Sequence, residues 1–432
     1  MSDLLAARSQ MGMSLAFHII FAAIGMAMPV FMVLAEWRWK KSGDAVYLDL
    51  AKRWAKGTAI LFAVGAVSGT VLSFELGLLW PRFMAWAGAI IGMPFSLEGF
   101  AFFLEAIFLG IYLYGWKRVA PGVHLFAGIV VALSGAASGI FVTIANAWMN
   151  TPVGFASANG RVMEVEPLAA MLNPAAFSEC LHMMVAAYAA TGLAVAGIHA
   201  LMLLRRRNQP FHSRALGIAL TVGGIASILQ PFTGDVIARA VARNQPLKLA
   251  AFEAHYQTRA AAPLQVVGGL EIPAGLSLLA FHSRDAVVEG LEDFPRDQWP
   301  AVHILRPAFG IMVTAGFLAA AVACWAGIQL WWRHKPPAAS RRLLWAVVCA
   351  APLGFIAIEA GWTVTELGRQ PWIVYGFMRT ADAVTPMPGL AVPFAGFTLL
   401  YLLLAILVAW MLSRHIADAP REAGEEVDAV LR

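Results

Sequence analysis

The chain has 432 residues, of which 60% are hydrophobic and only 13% are charged. About a quarter of the residues of a typical soluble domain are charged, so this composition excludes an ordinary soluble protein. The formal net charge of +5 comes from basic residues that cluster between apolar runs, which is typical of membrane topology signals and argues against a nucleic-acid partner. Three widely separated cysteines argue against a disulfide scaffold.

Runs of about 20 apolar residues, long enough to cross a bilayer as a helix, occur nine times along the chain. The sequence therefore predicts an all-α, polytopic membrane bundle of nine transmembrane helices. The predicted spans are 14–36, 57–80, 96–116, 124–146, 180–204, 214–233, 305–332, 342–362 and 391–413. The chain then divides into helices 1 to 6 (1–233), a long loop (234–304), helices 7 to 9 (305–413) and a tail (414–432).

Lysine and arginine residues predict the orientation of this bundle. They are concentrated in the connections after spans 1, 3, 5 and 7 and are few in the short connections on the other side. Basic connections stay in the cytoplasm, whereas long loops cross the membrane largely regardless of their charge. The N-terminus and the long loop 234–304 are therefore predicted to be periplasmic and the C-terminus cytoplasmic. The first apolar run is longer than the core of a signal peptide, so we expect it to be retained.

Histidine, methionine and carboxylate side chains recur at one predicted depth, towards the outer ends of the spans. Polar groups of this kind within a membrane are costly and usually have a partner or a task. Histidine with methionine is an axial ligand set for a low-spin haem, while a histidine or an oxygen ligand alone leaves one haem face open. The pattern predicts a haem-type site inside the bundle. Its members are His18, Glu98, Glu105, His182, Met312, Glu359 and Glu366.

The remaining histidines restrict the kind of site. An adjacent histidine pair, as in a copper-binding oxidase centre, is absent from the sequence, and so are the histidine pairs along two helices that a bc-type cytochrome b uses. Histidines at the predicted cytoplasmic ends or tails are expected to be interfacial. They are His124, His199, His212, His334 and His415.

In the long loop, Gln245, Lys248 and Glu253 place an amide, a cation and a carboxylate on one short segment. One interpretation is a solvated amphipathic turn, since such combinations are common on surface helices. The other is a site that binds a quinol headgroup and accepts its protons. The residues alone leave both interpretations open.

A longer motif carries a family resemblance. The segment Glu359-Ala-Gly-Trp362, followed by Glu366-Leu-Gly-Arg369-Gln-Pro-Trp372, resembles the signature of cytochrome bd quinol oxidase subunit I of the type with a short quinol loop. The resemblance covers essentially the whole chain. It extends to Ala16-Phe-His18, to the segment from Ser96 to Glu105 with its paired glutamates, to Ala145-Asn146-Ala-Trp148-Met149, and to Gln245, Lys248 and Glu253.

The resemblance implies a subunit of a bacterial inner-membrane oxidase that oxidises quinol on the periplasmic side and reduces O2 to water with cytoplasmic protons. It implies two b haems, one low-spin and one high-spin, together with haem d or a third haem b. The implied partners are a second large subunit, ubiquinol or menaquinol, O2 and a single-span accessory subunit. Other members carry an arginine two residues before the ligating methionine, where this chain has Gly310.

The resemblance also implies roles for individual residues. His182 and Met312 would ligate the low-spin haem iron, and His18 and Glu366 would serve the two high-spin haems in an order that stays open. The other implied roles are contacts with haem groups by Trp362 and Arg369, a place at the oxygen-reducing haem for Glu98, a cytoplasmic proton path through Glu105 and Ser138, and quinol binding by Gln245, Lys248 and Glu253. The alternatives are an ion-coupled transporter, or a haem subunit that passes electrons on without reducing oxygen.

Overall fold

The computed structural model describes residues 1–158, 160–206, 209–266 and 270–417. Within these residues, nine helical segments are long and apolar enough to cross a membrane, which confirms the predicted all-α bundle. The predicted acidic tail from Asp418 to Arg432 lies outside the described residues. The nine segments are α1 (Asp3–Ser42), α2 (Ala45–Leu79), α3 (Pro81–Tyr114), α4 (Pro121–Asn150), α6 (Ala176–Leu204), α7 (Gln209–Asn244), α10 (Val302–Gly327) with a π-helical turn at Ile328–Trp332, α11 and α12 together (Arg341–Ala350 and Leu353–Gly368), and α14 (Ala391–Ala417).

The connections contain short elements. The short helices are α5 (Pro167–Met171), α8 (Pro246–Glu253), α9 (Gly275–Phe281) and α13 (Thr380–Ala383), and 3-10 turns occur at Leu291–Asp293, Arg296–Gln298 and Pro337–Ala339. The strands form antiparallel two-stranded pairs: β1 (Ala156–Ala158) with β2 (Arg161–Met163), β3 (Arg259–Ala260) with β6 (Val287–Val288), β4 (Leu264–Gln265) with β5 (Glu271–Ile272), and β7 (Trp372–Val374) with β8 (Met378–Arg379).

Local signals in the sequence explain where several helices begin and end. The Ser2 hydroxyl accepts a hydrogen bond from the Leu5 amide at the start of α1, and Asp44 caps α2 in the same way. Proline occupies the first position of α3 and of α4, where no amide hydrogen is needed. Gly43 ends α1 with a φ of 71°, a left-handed conformation that glycine adopts without strain.

Helix α6 lies at the centre of the bundle, and α14 lies at its edge. Of the most apolar stretch of each helix, 67% is buried in α6 but only 11% in α14. Glycines let α6 and α7 touch through their backbones, since a Cβ atom on Gly192 would lie 2.3 Å from the Gly223 Cα. The exposed apolar face of α14 is suited to lipid or to another membrane subunit.

The long loop is a packed unit. Helix α7 continues to Asn244, beyond the predicted end of its span at 233, and α10 begins at Val302. Helix α8 lies between them and is buried from Leu247 to Glu253, with Phe252 stacked on Phe309 of α10. The segment is therefore not the solvated turn that was one interpretation of the sequence.

Candidate functional site

Asn150, at the C-terminal end of α4, is a fully buried amide that joins three parts of the chain. Its Oδ1 accepts hydrogen bonds from Lys248 Nζ at 2.9 Å and from Gln245 Nε2 at 3.4 Å. Its Nδ2 donates to Glu179 Oε1 on α6 at 3.1 Å. Two of the three predicted quinol-binding residues therefore converge on one residue of the membrane bundle.

Glu366 lies beside this amide, at the end of α12. Asn146 Nδ2 donates to its Oε1 at 2.5 Å, and Arg369 Nη2 donates to its Oε2 at 2.7 Å. Asn150 Nδ2 is 3.3 Å from Asn146 Oδ1, so side chains one turn apart on α4 connect the two groups. We refer to the connected set as the Asn150 network: Asn146, Asn150, Glu179, Gln245, Lys248, Glu366 and Arg369.

The loop residues differ in their electrostatic surroundings. Lys248 is 4% exposed, and burial lowers its pKa to about 8 although the nearby Glu179 carboxylate opposes the shift. Glu253 lies apart from the Asn150 network and pairs with Arg306 at 3.1 Å. Burial raises the pKa of Glu253 to about 7 against the opposing effect of Arg306. Burial therefore brings the pKa of both side chains closer to neutral pH.

The two predicted histidine ligands are each held by a hydroxyl on a neighbouring helix. His18 Nδ1 of α1 lies 3.0 Å from Ser68 Oγ of α2. His182 Nδ1 of α6 lies 3.1 Å from Thr233 Oγ1 of α7, and the Gln230 amide lies 3.2 Å from His182 Nε2. A hydrogen bond to one ring nitrogen fixes the orientation of a ligating imidazole.

Glycines make room for two of the predicted ligands. A Cβ atom on Gly69 would lie 2.9 Å from His18 Cε1, and one on Gly361 would lie 3.0 Å from Met312 Sδ. Trp362, next to Gly361, packs in an apolar cluster with Ile19 of α1 and residues of α6. Side chains at the two glycine positions would displace the imidazole and the thioether.

The residues present fit haem. Arg369 is buried, and its Nε and Nη1 have no hydrogen-bond partner among the described residues. Buried guanidinium N–H groups suit the carboxylate of a haem propionate, because such charge-assisted hydrogen bonds are strong. The His18 imidazole packs against Gly69 of α2, and the Met312 thioether packs against Gly361 of α12, the helix that ends beside Arg369. His18, His182, Met312 and Glu366 are thus donors of the type that haem iron takes.

The three predicted proton-path residues do not form one hydrogen-bonded group in the part of the chain that the structure describes. The Ser138 hydroxyl donates to Glu98 Oε1 at 3.1 Å, so α3 and α4 bring these two together. Glu105 is more deeply buried. Its carboxyl group faces two glycines, since Cβ atoms on Gly135 and Gly25 would lie 3.2 Å and 3.9 Å from it.

Sequence reasoning missed Asn150 and Glu179, although Asn146 and Asn150 stand one helical turn apart at the end of an apolar run, a usable signal. The prediction of interfacial histidines is wrong for three of the five. His124, His199 and His212 are buried because each is hydrogen-bonded to a polar partner inside the bundle. His415 is partly buried against the Arg53 carbonyl, and His334 is exposed.

Comparisons with known proteins agree over nearly the whole chain. A family model for the cytochrome bd terminal oxidase subunit I matches residues 6–420. The putative cytochrome bd menaquinol oxidase subunit I of Bacillus subtilis (strain 168) is 37% identical over 97% of this chain and 98% of its own. The cytochrome bd ubiquinol oxidase subunit 1 of the same organism is 30% identical over 96% and 94%. The solved structure of bd oxidase from Geobacillus thermodenitrificans superposes with a TM-score of 0.91 at 39% identity, covering 97% and 99% of the two chains.

Proposed function

Because the chain belongs to the cytochrome bd terminal oxidase subunit I family, we propose that it oxidises quinol at the periplasmic side and reduces O2 to water with cytoplasmic protons. Membership itself makes it a haem-binding, multi-pass subunit of a quinol oxidase in the bacterial inner membrane, working with a subunit II. Uptake of protons on one side and their release on the other makes the reaction electrogenic in this proposal. An accessory single-span subunit is part of the proposal.

We assign the haem-binding roles as follows. His182 and Met312 hold a low-spin haem b, while His18 and Glu366 serve a high-spin haem b and haem d, or a third haem b, in either order. The bound haems supply the iron that carries electrons and at which O2 is reduced. Ser68 and Thr233 keep the imidazoles oriented. Trp362 packs beside the site, and Arg369 provides N–H groups for a propionate.

Quinol binding is assigned to Gln245, Lys248 and Glu253. In this assignment Lys248 donates a hydrogen bond to a quinol oxygen, and Glu253 accepts a proton as the quinol is oxidised. A proton acceptor works best when its pKa lies near the operating pH, and the Glu253 pKa of about 7 meets that condition. Menaquinol and ubiquinol both remain candidates, since relatives of both names match the chain.

Proton delivery for O2 reduction is assigned to Glu105, Glu98 and Ser138. All three lie between α3 and α4 inside the bundle, where carboxylates and hydroxyls relay protons through membranes. The Ser138–Glu98 hydrogen bond places a carboxyl group and a hydroxyl in contact at the end of this path.

One observation carries the proposal beyond family membership. The Asn150 network joins Lys248 of the loop to Glu366 of α12 through side-chain hydrogen bonds alone. A quinol site coupled to an electron-accepting centre needs this proximity, because the donor must lie close to the acceptor.

The test is made on the purified complex. We expect a visible haem spectrum, two haem b by pyridine haemochrome analysis with haem d or a third haem b, and O2 consumption with a quinol analogue at an oxygen electrode. A colourless complex would support the transporter. A complex whose haems are reduced by quinol without O2 consumption would support an electron-transfer subunit.

The ligand assignment has a separate test. His182→Ala should remove the low-spin haem from the reduced-minus-oxidised spectrum, because the thioether of Met312 alone does not hold a six-coordinate haem. His415→Ala, a histidine at the far end of α14, is the matched control and should leave the spectrum unchanged. An unaltered spectrum for His182→Ala would show the assignment to be wrong.

A further inference from the structure

A second buried polar cluster lies at the opposite ends of α1 and α4 from the Asn150 network. Glu36 of α1 and His124 of α4 are 1% and 3% exposed, and Glu36 Oε2 lies 3.0 Å from His124 Nδ1. The other ring nitrogen, His124 Nε2, lies 2.9 Å from the Tyr112 carbonyl oxygen of α3. A carbonyl only accepts, so Nε2 carries a hydrogen and one shared proton lies between Nδ1 and the carboxylate.

Tyr112 connects this pair with the interior of the bundle. Its phenol lies beside the Glu36 carboxylate and donates to the Met32 carbonyl oxygen at 3.3 Å. On α1, Met32 lies one turn closer to Gly25 than Glu36 does. The Tyr112 phenol therefore lies on the side of the Glu36–His124 pair that faces Gly25. The ring packs on Gly128 of α4, where a Cβ atom would lie 2.7 Å from Tyr112 Cε2.

The same three helices enclose Glu105 one layer further in. As described above, the Glu105 carboxyl group faces Gly25 of α1 and Gly135 of α4. Gly25, Glu105 and Gly135 form one layer, and Met32, Tyr112 and Gly128 form a second layer. On each helix, the residues of the two layers are seven positions apart. Seven residues are two helical turns, about 10 Å, and return to the same helix face.

The layers therefore form one line of protonatable groups through α1, α3 and α4. We call it the Glu36 seam. Its members, from the predicted cytoplasmic end inwards, are Glu36, His124, Tyr112, Glu105, and Glu98 with Ser138.

We propose that Glu36 and His124 are the proton entrance of this oxidase, and that Tyr112 passes protons from them towards Glu105. The inference rests on the proposed function, since it supplies the protons that O2 reduction consumes. Glu105 lies two helical turns further along α3 from this pair than Tyr112 does, so it needs an intermediate carrier to exchange protons with the cytoplasm. Each step moves one proton between oxygen and nitrogen atoms. Transfer over the remaining distance of about 10 Å requires a chain of water molecules between the layers.

The pair lies near the predicted cytoplasmic ends of both helices, since α1 ends at Ser42 and α4 begins at Pro121. Trp116 covers the imidazole, with ring centroids 3.9 Å apart, and Lys52 of α2 lies 5.4 Å from the Trp116 centroid. The Lys40 ammonium group donates to the Pro121 carbonyl oxygen at the start of α4. An aromatic ring therefore covers the imidazole, and lysines of α1 and α2 lie next to the pair.

A purely structural pair that only ties α1 to α4 would show the same contacts, so the test must separate the two roles. Two rates are measured on the purified full complex for His124→Ala and Glu36→Gln. One is steady-state O2 consumption with a quinol analogue. The other is haem reduction by quinol without oxygen, which requires no proton uptake through the seam. Haem content is checked by pyridine haemochrome, and His415→Ala is the control.

We expect O2 consumption to fall by about 10-fold or more, in the range seen when a proton-transfer group is removed, while anaerobic haem reduction stays unchanged. Added imidazole should restore part of the activity of His124→Ala but none of that of Glu36→Gln. Tyr112→Phe, which keeps the ring on Gly128, should reduce turnover less.

Three results would overturn the proposal: wild-type turnover in both variants, equal loss of both rates in Glu36→Gln, or no effect of imidazole on an inactive but haem-loaded His124→Ala. If His124→Ala loses its haem, Glu36→Gln decides, because it preserves size and hydrogen bonding. An inactive wild-type complex would instead refute the proposed function, so the two failures are distinguishable.

Discussion

The Asn150 network and the Glu36 seam are both buried polar systems, but they are assembled in opposite ways. The Asn150 network draws its amides from α4 and its charges from α6, α8 and the end of α12, which are far apart in sequence. The Glu36 seam repeats along three helices at intervals of seven residues. Tertiary contacts alone create the first, whereas helical periodicity aligns the layers of the second.

The two systems also differ in how their charges are balanced. In the Asn150 network a lysine and an arginine offset two carboxylates, so removing one member leaves a buried charge without its partner. Such a loss costs far more than the pair contributes. In the Glu36 seam the groups further in than the Glu36–His124 pair are two carboxyl groups, a hydroxyl and a phenol, with glycines beside them. Substitutions there should affect proton transfer more than folding.

The largest effect is expected from Arg369→Leu, which removes the cation beside Glu366 from a position that is 3% exposed. The complex should lose about 3 kcal/mol of stability, the scale for breaking a buried ion pair, and with it haem content. Thermal inactivation and the visible spectrum measure both. The control is Arg379→Leu, whose partner Asp297 is solvent-exposed, so that this ion pair contributes little to stability. Similar losses in the two variants would refute the special role of the Asn150 network.

The next effect concerns the centre of that network. Asn150→Leu removes the acceptor for Lys248 and the donor to Glu179, so quinol kcat/KM should fall by about 10-fold, the equivalent of one hydrogen bond to a charged group. Haem reduction by dithionite should be normal. Thr151→Val removes a buried hydroxyl bonded to Asn173, outside the network, and should leave quinol kinetics unchanged. Normal quinol kinetics for Asn150→Leu would show that quinol oxidation does not depend on the hydrogen bonds between the loop and the bundle.

A smaller effect tests the space around His18. A methyl group at Gly69 would press on the imidazole, so Gly69→Ala should broaden or shift a high-spin haem band and lower turnover several-fold. Gly77→Ala on the same helix has open space around its Cβ and is the matched control. Both changes raise helix propensity by about 1 kcal/mol, so a difference between them reports the contact alone.

The architecture was predictable from the sequence because membrane spans depend on local composition. Nine apolar runs predicted nine helices, and Glu98 and Glu105 were placed on one face by their spacing. Helix ends were less predictable. α7 continues to Asn244 because its last turns pack against α8 and α9 of the loop, which hydropathy does not report.

The partners of the site residues could not be predicted. Nothing local marks Asn150 as the acceptor for Lys248, 98 positions away, or Glu36 as the partner of His124, 88 positions away. His124 was expected at the interface because it stands near a helix end. It is buried because α1 brings a carboxylate to it, and only the folded arrangement provides that carboxylate.

The smallest effect is a shift in pH dependence at the loop. Glu253 must be ionised to accept a proton from quinol, so activity should rise as pH increases through its pKa of about 7 and fall again above the Lys248 pKa of about 8. Arg306 favours the ionised carboxylate of Glu253, so Arg306→Gln raises that pKa and moves the acidic limb by about one unit to higher pH.

Turnover with a quinol analogue across the pH range measures this shift, and the alkaline limb set by Lys248 should not move. Arg296→Gln, a loop arginine that lies over the Trp299 ring, removes the same charge without touching Glu253 and should leave both limbs in place. If the acidic limb stays fixed or moves to lower pH in Arg306→Gln, Glu253 is not the group that limits quinol oxidation. The proton acceptor would then have to be sought within the Asn150 network, where Glu179 is the carboxylate nearest to Lys248 through Asn150.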